Sequence, residues 1–151
     1  DRKRDDLFPV GRLDKDTEGL LIITNNGELA HRLLSPKKHV DKVYFAKVKG
    51  IVTEADVKHF AQGLDIGDEK PTLPAELVIC SSDEISGILL TIREGRFHQV
   101  KRMFQAVGKE VVYLKRLRMG SIALDESLKP GEYRRLTEEE VERLCSQERK
   151  P

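Results

Sequence analysis

Asp14 sits in a polar loop, Gly11 to Gly19, that glycine closes at both ends. Carboxylates crowd it: Asp14, Asp16 and Glu18, with Arg12 two residues upstream of Asp14. A carboxylate beside an arginine stays ionised, which suits a nucleophile or a general base. An aspartate in a glycine-bounded loop also serves as a turn or capping residue, and the spacing does not choose between Asp14 and Asp16. The loop runs into Leu20–Thr24, a short apolar run rich in β-branched residues and followed by Asn25-Asn26-Gly27. That pattern predicts a buried strand ending in a turn. A loop feeding such a strand can hold its side chains rigidly beside an apolar pocket.

The second feature able to do chemistry is a run of positive charge. Between Arg93 and Arg118 stand eight basic residues, Arg93, Arg96, Lys101, Arg102, Lys109, Lys115, Arg116 and Arg118, opposed only by Glu94 and Glu110. A face of this kind can neutralise several phosphates, and it fits a solvated surface equally well. The whole chain carries a net charge of only +1, so it is not basic throughout. His31, His39, His59 and His98 show no ligand spacing, and Cys80 and Cys145 form no C-x-x-C pair. The expectation is no metal site and a reducing cytoplasm.

The elements that must position these groups read as follows. The 151 residues are one domain or a compact pair of subdomains, and 38% of them are hydrophobic, enough for a core. No apolar run approaches the roughly 18 residues of a membrane helix. Leu7–Val10 is a short extended segment feeding the Asp14 loop. Glu28–Leu34 has the spacing of a short helix, stopped by Ser35-Pro36. Lys42–Lys49 alternates, with Tyr44, Ala46 and Val48 on one side and Val43 and Phe45 on the other, which is a strand. Thr53 with Asp56 caps a helix to about Gln62, and Gly63 stops it. Leu64–Ile66 and Ala75–Cys80 read as strands, and Gly87–Arg93 pairs back as a hairpin. His98–Val107 is a helix whose Val100, Met103, Phe104 and Val107 fall at i, i+3, i+4 and i+7. Lys101 lies in its first turn, off that stripe. Glu110–Ile122 is mostly strand, Pro130-Gly131 is a turn, and Thr137 with Glu140 is a capping box opening a last helix to about Ser146. Interspersed helices with hairpin-paired strands argue an α+β fold on a mixed, largely antiparallel sheet.

Four stretches together carry a resemblance. They are Gly11-Arg12-Leu13-Asp14 with Thr17 and Gly19-Leu20-Leu21; Lys42-Val43-Tyr44; Glu94 through Met103 (Glu-Gly-Arg-Phe-His-Gln-Val-Lys-Arg-Met); and Leu114-Lys115-Arg116 leading to Met119-Gly120. In this order they resemble the pseudouridine synthases, and most closely the RsuA branch that acts on small-subunit ribosomal RNA. The resemblance runs from about Pro9 to Leu144. It implies a central sheet flanked by helices, with the active-site cleft across it, and no cofactor.

What the resemblance implies for residues is specific. Asp14 is the catalytic carboxylate. Lys101 holds the family's Arg-or-Lys position that pairs with it. Tyr44 stacks on the target base, although its strand position is equally that of a core tyrosine. Leu114 packs in the uracil pocket, or is a core leucine. Arg12 enters the RNA where the flipped base has left. Arg96, His98, Gln99, Arg102 and Arg116 join the substrate-binding set, with Lys115 and Arg118 as further backbone contacts. The implied partner is ribosomal RNA within an assembling small subunit, met by a monomer of the full-length protein. The competing readings are the same reaction on large-subunit RNA and a non-catalytic RNA-binding module. The family's upstream Asn-Lys-Pro-x-Gly strand and its S4-type domain are not among these residues, so the expectation is an N-terminally truncated catalytic domain.

Overall fold

The computed structural model describes residues 8–10, 13, 15, 17–24, 40–120, 122–124, 127–128, 134, 137 and 139–140. The strands are β1 (Phe8–Val10), β2 (Glu18–Gly19), β3 (Ile22–Thr24), β4 (Lys42–Lys49), β5 (Glu76–Ser81), β6 (Ile85–Ile92), β7 (Glu110–Met119) and β8 (Ile122–Ala123). The helices are α1 (Glu54–Gln62) and α2 (Gln99–Ala106). β1 and β3 form a small antiparallel sheet of their own. The main sheet runs β2-β7-β4-β6-β5, with β8 paired to β7. β2 lies parallel to β7, and the other pairs are antiparallel. The fold is α+β on a mixed sheet.

β4 is the centre of the sheet, and its alternation is the one its sequence predicts. Lys42, Tyr44, Ala46 and Val48 are buried, while Lys47 and Lys49 are exposed. Period-two side chains put these four on one face, with Ile88, Leu90 and Ile92 of β6 beside them. The two helices cover that face. Phe60 of α1 and Phe104 of α2 are fully buried against each other, rings 4.8 Å apart and tilted by 48°. Each such side chain contributes roughly 1.5–3 kcal/mol by leaving water.

The helix ends follow the predicted signals. The Asp56 carboxylate accepts the Thr53 N–H at 3.0 Å, and the Gly63 N–H donates to the His59 carbonyl at 3.1 Å. Thr137 and Glu140 form the predicted capping box, with bonds of 2.9 and 3.1 Å. Leu64–Ile66 is not a strand. Leu64 and Thr72 are joined by two bonds of 2.8 Å, one of them to the threonine hydroxyl, and no ladder follows before Gly67. The predicted helix at Glu28–Leu34, the turn at Pro130-Gly131 and the body of the last helix lie outside the described residues.

Candidate active site

Tyr44, Leu114 and Arg116 share one buried face because of an irregularity in the β4–β7 ladder. Val43 pairs with Arg118, yet Tyr44 pairs with Arg116, so β7 carries one extra residue at Leu117. A bulge of this kind changes which side chains face the core. Without it Leu117 would oppose Tyr44. With it Arg116 does, and Ala46 meets Leu114. Tyr44 is 9% exposed, Leu114 4% and Arg116 2%.

Arg116 ties this face to the end of the Gly11–Gly19 loop. Its backbone carbonyl accepts the Leu20 N–H at 2.9 Å, and its Nε donates to the Leu20 carbonyl at 2.9 Å. Nη1 reaches the Tyr44 hydroxyl at 3.5 Å, a long contact, and Nη2 is buried without a hydrogen-bond partner among the described residues. Thr17 Oγ1, inside the loop, is also buried without a partner among the described residues. Gly19 has φ 116°, and a Cβ there would collide with the Arg116 backbone. Glycine is therefore required for β2 to lie on β7.

Lys42 belongs to the same face, two residues before Tyr44 and 3% exposed. Burial first, then the Arg116 guanidinium, pushes its ammonium down to about 8, against the opposing pull of the Glu94 and Asp41 carboxylates. Lys42 opens the Lys42-Val43-Tyr44 stretch, in which only the tyrosine has an expected role. Its place on the strict Lys42-Tyr44-Ala46-Val48 alternation is the signal that marks it as buried.

The remaining predicted residues separate into two groups. Asp14 and Arg12 lie outside the described residues. Lys101 is on α2, half-buried in its first turn. Arg96, Gln99 and Arg102, expected as substrate contacts, spend their polar groups on the protein. Gln99 is 4% exposed and donates to Glu94 at 3.0 Å, and its carbonyl accepts the Arg96 N–H at 3.0 Å. Arg96 binds Glu94 at 2.9 Å and the carbonyls of Lys70 and Pro71 at 2.6 and 2.8 Å. Arg102 binds the Phe97 and Ile66 carbonyls at 2.8 and 3.0 Å and grips Asp68 with both Nη atoms. The Arg102 hydrogen bonds hold the Asp68 carboxyl below its ordinary range. Arg116, 2% exposed, likewise spends its Nε on the protein, at the Leu20 carbonyl. Of the basic run, Lys115 is half-buried and Arg118 exposed. Arg93 bonds Asp41 at 2.8 Å, and Lys109 bonds Asp56 at 3.1 Å. Among the described residues no cluster of His, Cys, Asp and Glu could hold a metal ion.

A two-layer domain whose sheet centre carries Tyr44, Leu114 and a buried arginine clamped to an acidic loop belongs to a recognisable class. The model of the RNA pseudouridylate synthase family matches residues 1–106, and the chain belongs to that family. It is 54% identical over 138 residues to a Bacillus subtilis (strain 168) protein called uncharacterized RNA pseudouridine synthase YtzG, covering 91% of this chain and 58% of that one. It is 48% identical over 141 residues to the ribosomal small subunit pseudouridine synthase A of Vibrio vulnificus (strain CMCP6), covering 93% and 60%. A crystal structure of a pseudouridylate synthase superposes with a TM-score of 0.88 at 45% identity, over 93% of this chain and 60% of that one. The chain thus spans about three-fifths of the length of these relatives.

Proposed function

We propose that this protein converts one uridine of small-subunit ribosomal RNA to pseudouridine in the cytoplasm, with Asp14 as the nucleophile or base. The observation that carries the reading is the clamp of Arg116 on Leu20. It fixes the end of the Asp14 loop against the strand pair bearing Tyr44 and Leu114. The small-subunit choice is supported by the similarity to relatives carrying that name.

The reaction is an isomerisation. The N1–C1′ bond breaks with its electron pair leaving on the uracil, the base rotates in place, C5 bonds to C1′, and the C5 proton departs while N1 takes up a proton from water, so that no proton is gained or lost overall. Nothing is oxidised or reduced. An ionised Asp14 serves either by bonding to C1′ as positive charge develops there and leaving when C5 bonds, or by taking a proton from C2′ and returning it once C5 has bonded. Lys101 keeps that carboxylate ionised in an apolar site. Tyr44 supplies a flat wall for the base and Leu114 an apolar one. A target within folded RNA must first be extruded, at a few kcal/mol, and Arg12 fills the space it leaves.

The test is to map pseudouridines in ribosomal RNA from cells with and without the gene. Loss of one modification in small-subunit RNA, restored by the wild-type gene and not by Asp14→Asn, is the expected result. Loss confined to large-subunit RNA would reassign the substrate. An unchanged map would overturn the activity.

A further inference from the structure

Phe97 is 71% exposed, more than any other large hydrophobic side chain among the described residues. Scattered exposed apolar residues are common and need no explanation. Phe97 differs in how it is held. Its ring lies on the His98 imidazole with centroids 3.8 Å apart and planes 21° apart, a stack with one face of the phenyl left to solvent.

The backbone beneath that stack is held in a costly conformation. His98 has φ 49° and ψ 39°, and it is the one non-glycine residue with positive φ among the described residues. Such a conformation costs roughly 1–3 kcal/mol and persists only where the surroundings over-determine it. Here they do. Arg102 donates to the Phe97 carbonyl at 2.8 Å, the Arg102 N–H donates to the His98 carbonyl at 3.0 Å, and the Gln99 N–H donates to the Arg96 carbonyl at 3.1 Å. Arg102 is in turn fixed by Asp68 and Ile66, and Arg96 by Glu94, Lys70 and Pro71. These bonds thus fix the backbone that carries two stacked rings at the start of α2.

The neighbourhood indicates what those rings take. An apolar protein partner needs an apolar patch, yet Phe97 is flanked by Gly95, Arg96, His98 and Gln99, with Lys101 and Arg102 one turn on. The first turn of α2 has no acidic residue, so its amide dipoles favour a phosphate nearby. We propose that the Phe97–His98 stack is a docking platform for an unpaired base of the RNA, flanking the uridine that enters the site. The proposal rests on the reading of this protein as an RNA enzyme. Any base has a π-face, so the platform is tolerant of sequence and selects single-stranded over paired RNA.

The test measures binding of the full chain to unmodified small-subunit ribosomal RNA transcript and to oligouridylate. Phe97→Ala should weaken binding by roughly 5- to 100-fold, the range for losing one base–aromatic stack. The salt dependence should not change, because no phosphate contact is lost. Phe97→Leu, apolar but without a ring face, should be as weak as Phe97→Ala, and Phe97→Trp should bind at least as well as wild type. The chain has no tryptophan, so Phe97→Trp also adds a lone fluorophore whose emission should be quenched when a base stacks on it. Wild-type binding that survives Phe97→Ala or Phe97→Leu intact, or emission unmoved by bound RNA, would overturn the platform and leave the proposed reaction standing. A wild-type chain that bound neither RNA would overturn both.

Discussion

Arg116 and Leu20 hold each other twice, backbone to backbone and guanidinium to carbonyl, both at 2.9 Å. This is the joint between the Asp14 loop and the sheet. Hydrogen bonds to a charged donor contribute about 1.5–3 kcal/mol, and a buried partner left unmade costs as much again. Arg116→Met should therefore lower stability to urea and cut turnover further than stability alone explains, because the loop end is no longer fixed. Gly19→Ala should do the same from the other side, since β2 cannot then lie on β7. Urea melts beside single-turnover rates check this, and either variant turning over at the wild-type rate would show that the joint does not position the loop.

Lys42 gives a pH signature with a definite sign. Its folded value is pulled from 10.5 down to about 8, so between these pH values the unfolded chain holds more protons than the folded one. Stability then rises with pH across that window. Charged Lys42 is a burden below about pH 8, and the burden lifts toward pH 10.5, by about 3 kcal/mol over the whole shift. Thermal melts of wild type and Lys42→Met at pH 7 to 10 should show a difference that narrows as pH rises. A constant difference would mean that Lys42 does not titrate in the folded state.

The basic run divides into side chains paired within the protein and side chains proposed to meet RNA phosphates. Arg96→Gln and Arg102→Gln should lower the melting temperature while leaving the salt slope of RNA binding unchanged, because their guanidiniums are committed to Glu94, Asp68 and backbone carbonyls. Lys115→Gln and Arg118→Gln should each reduce that slope by about one. Titrations at several salt concentrations separate the two classes, and a flattened slope in Arg96→Gln would place that side chain on a phosphate.

Lys101→Met should slow the reaction and move the acid limb of its pH–rate profile upward. Removing a partner cation makes a buried carboxylate harder to ionise, so the rate should partly recover as pH rises. A profile of unchanged shape would show that Lys101 does not act through Asp14.

Most of what depends on local period could be read from the sequence, although Leu20–Thr24, expected as a buried strand, is a strand only over Ile22–Thr24 and leaves Leu21 and Ile23 exposed. The alternation of β4, the caps of α1, the apolar stripe of α2 and the β5–β6 hairpin need only neighbours in the chain, and each is where the pattern puts it. The misread strand at Leu64–Ile66 has the right composition, but Thr72 takes its hydrogen bonds in place of a partner strand. The burial of Arg116 was not legible for a different reason. It depends on a one-residue bulge opposite Tyr44, a property of the register between two strands 72 positions apart. Arg96 and Arg102 read as a phosphate-binding face because sequence shows charge and hides the Asp68 and Glu94 carboxylates that answer it.

The most direct test of the central claim is tritium release from small-subunit ribosomal RNA labelled at uridine C5, since that hydrogen leaves only when the new carbon–carbon bond forms. The wild-type protein should release label, Asp16→Asn should keep turnover, and Asp14→Asn should lose it by about 10⁴-fold or more while binding RNA within a few-fold of wild type. Label released by Asp14→Asn at the wild-type rate, or lost instead in Asp16→Asn, would contradict the account.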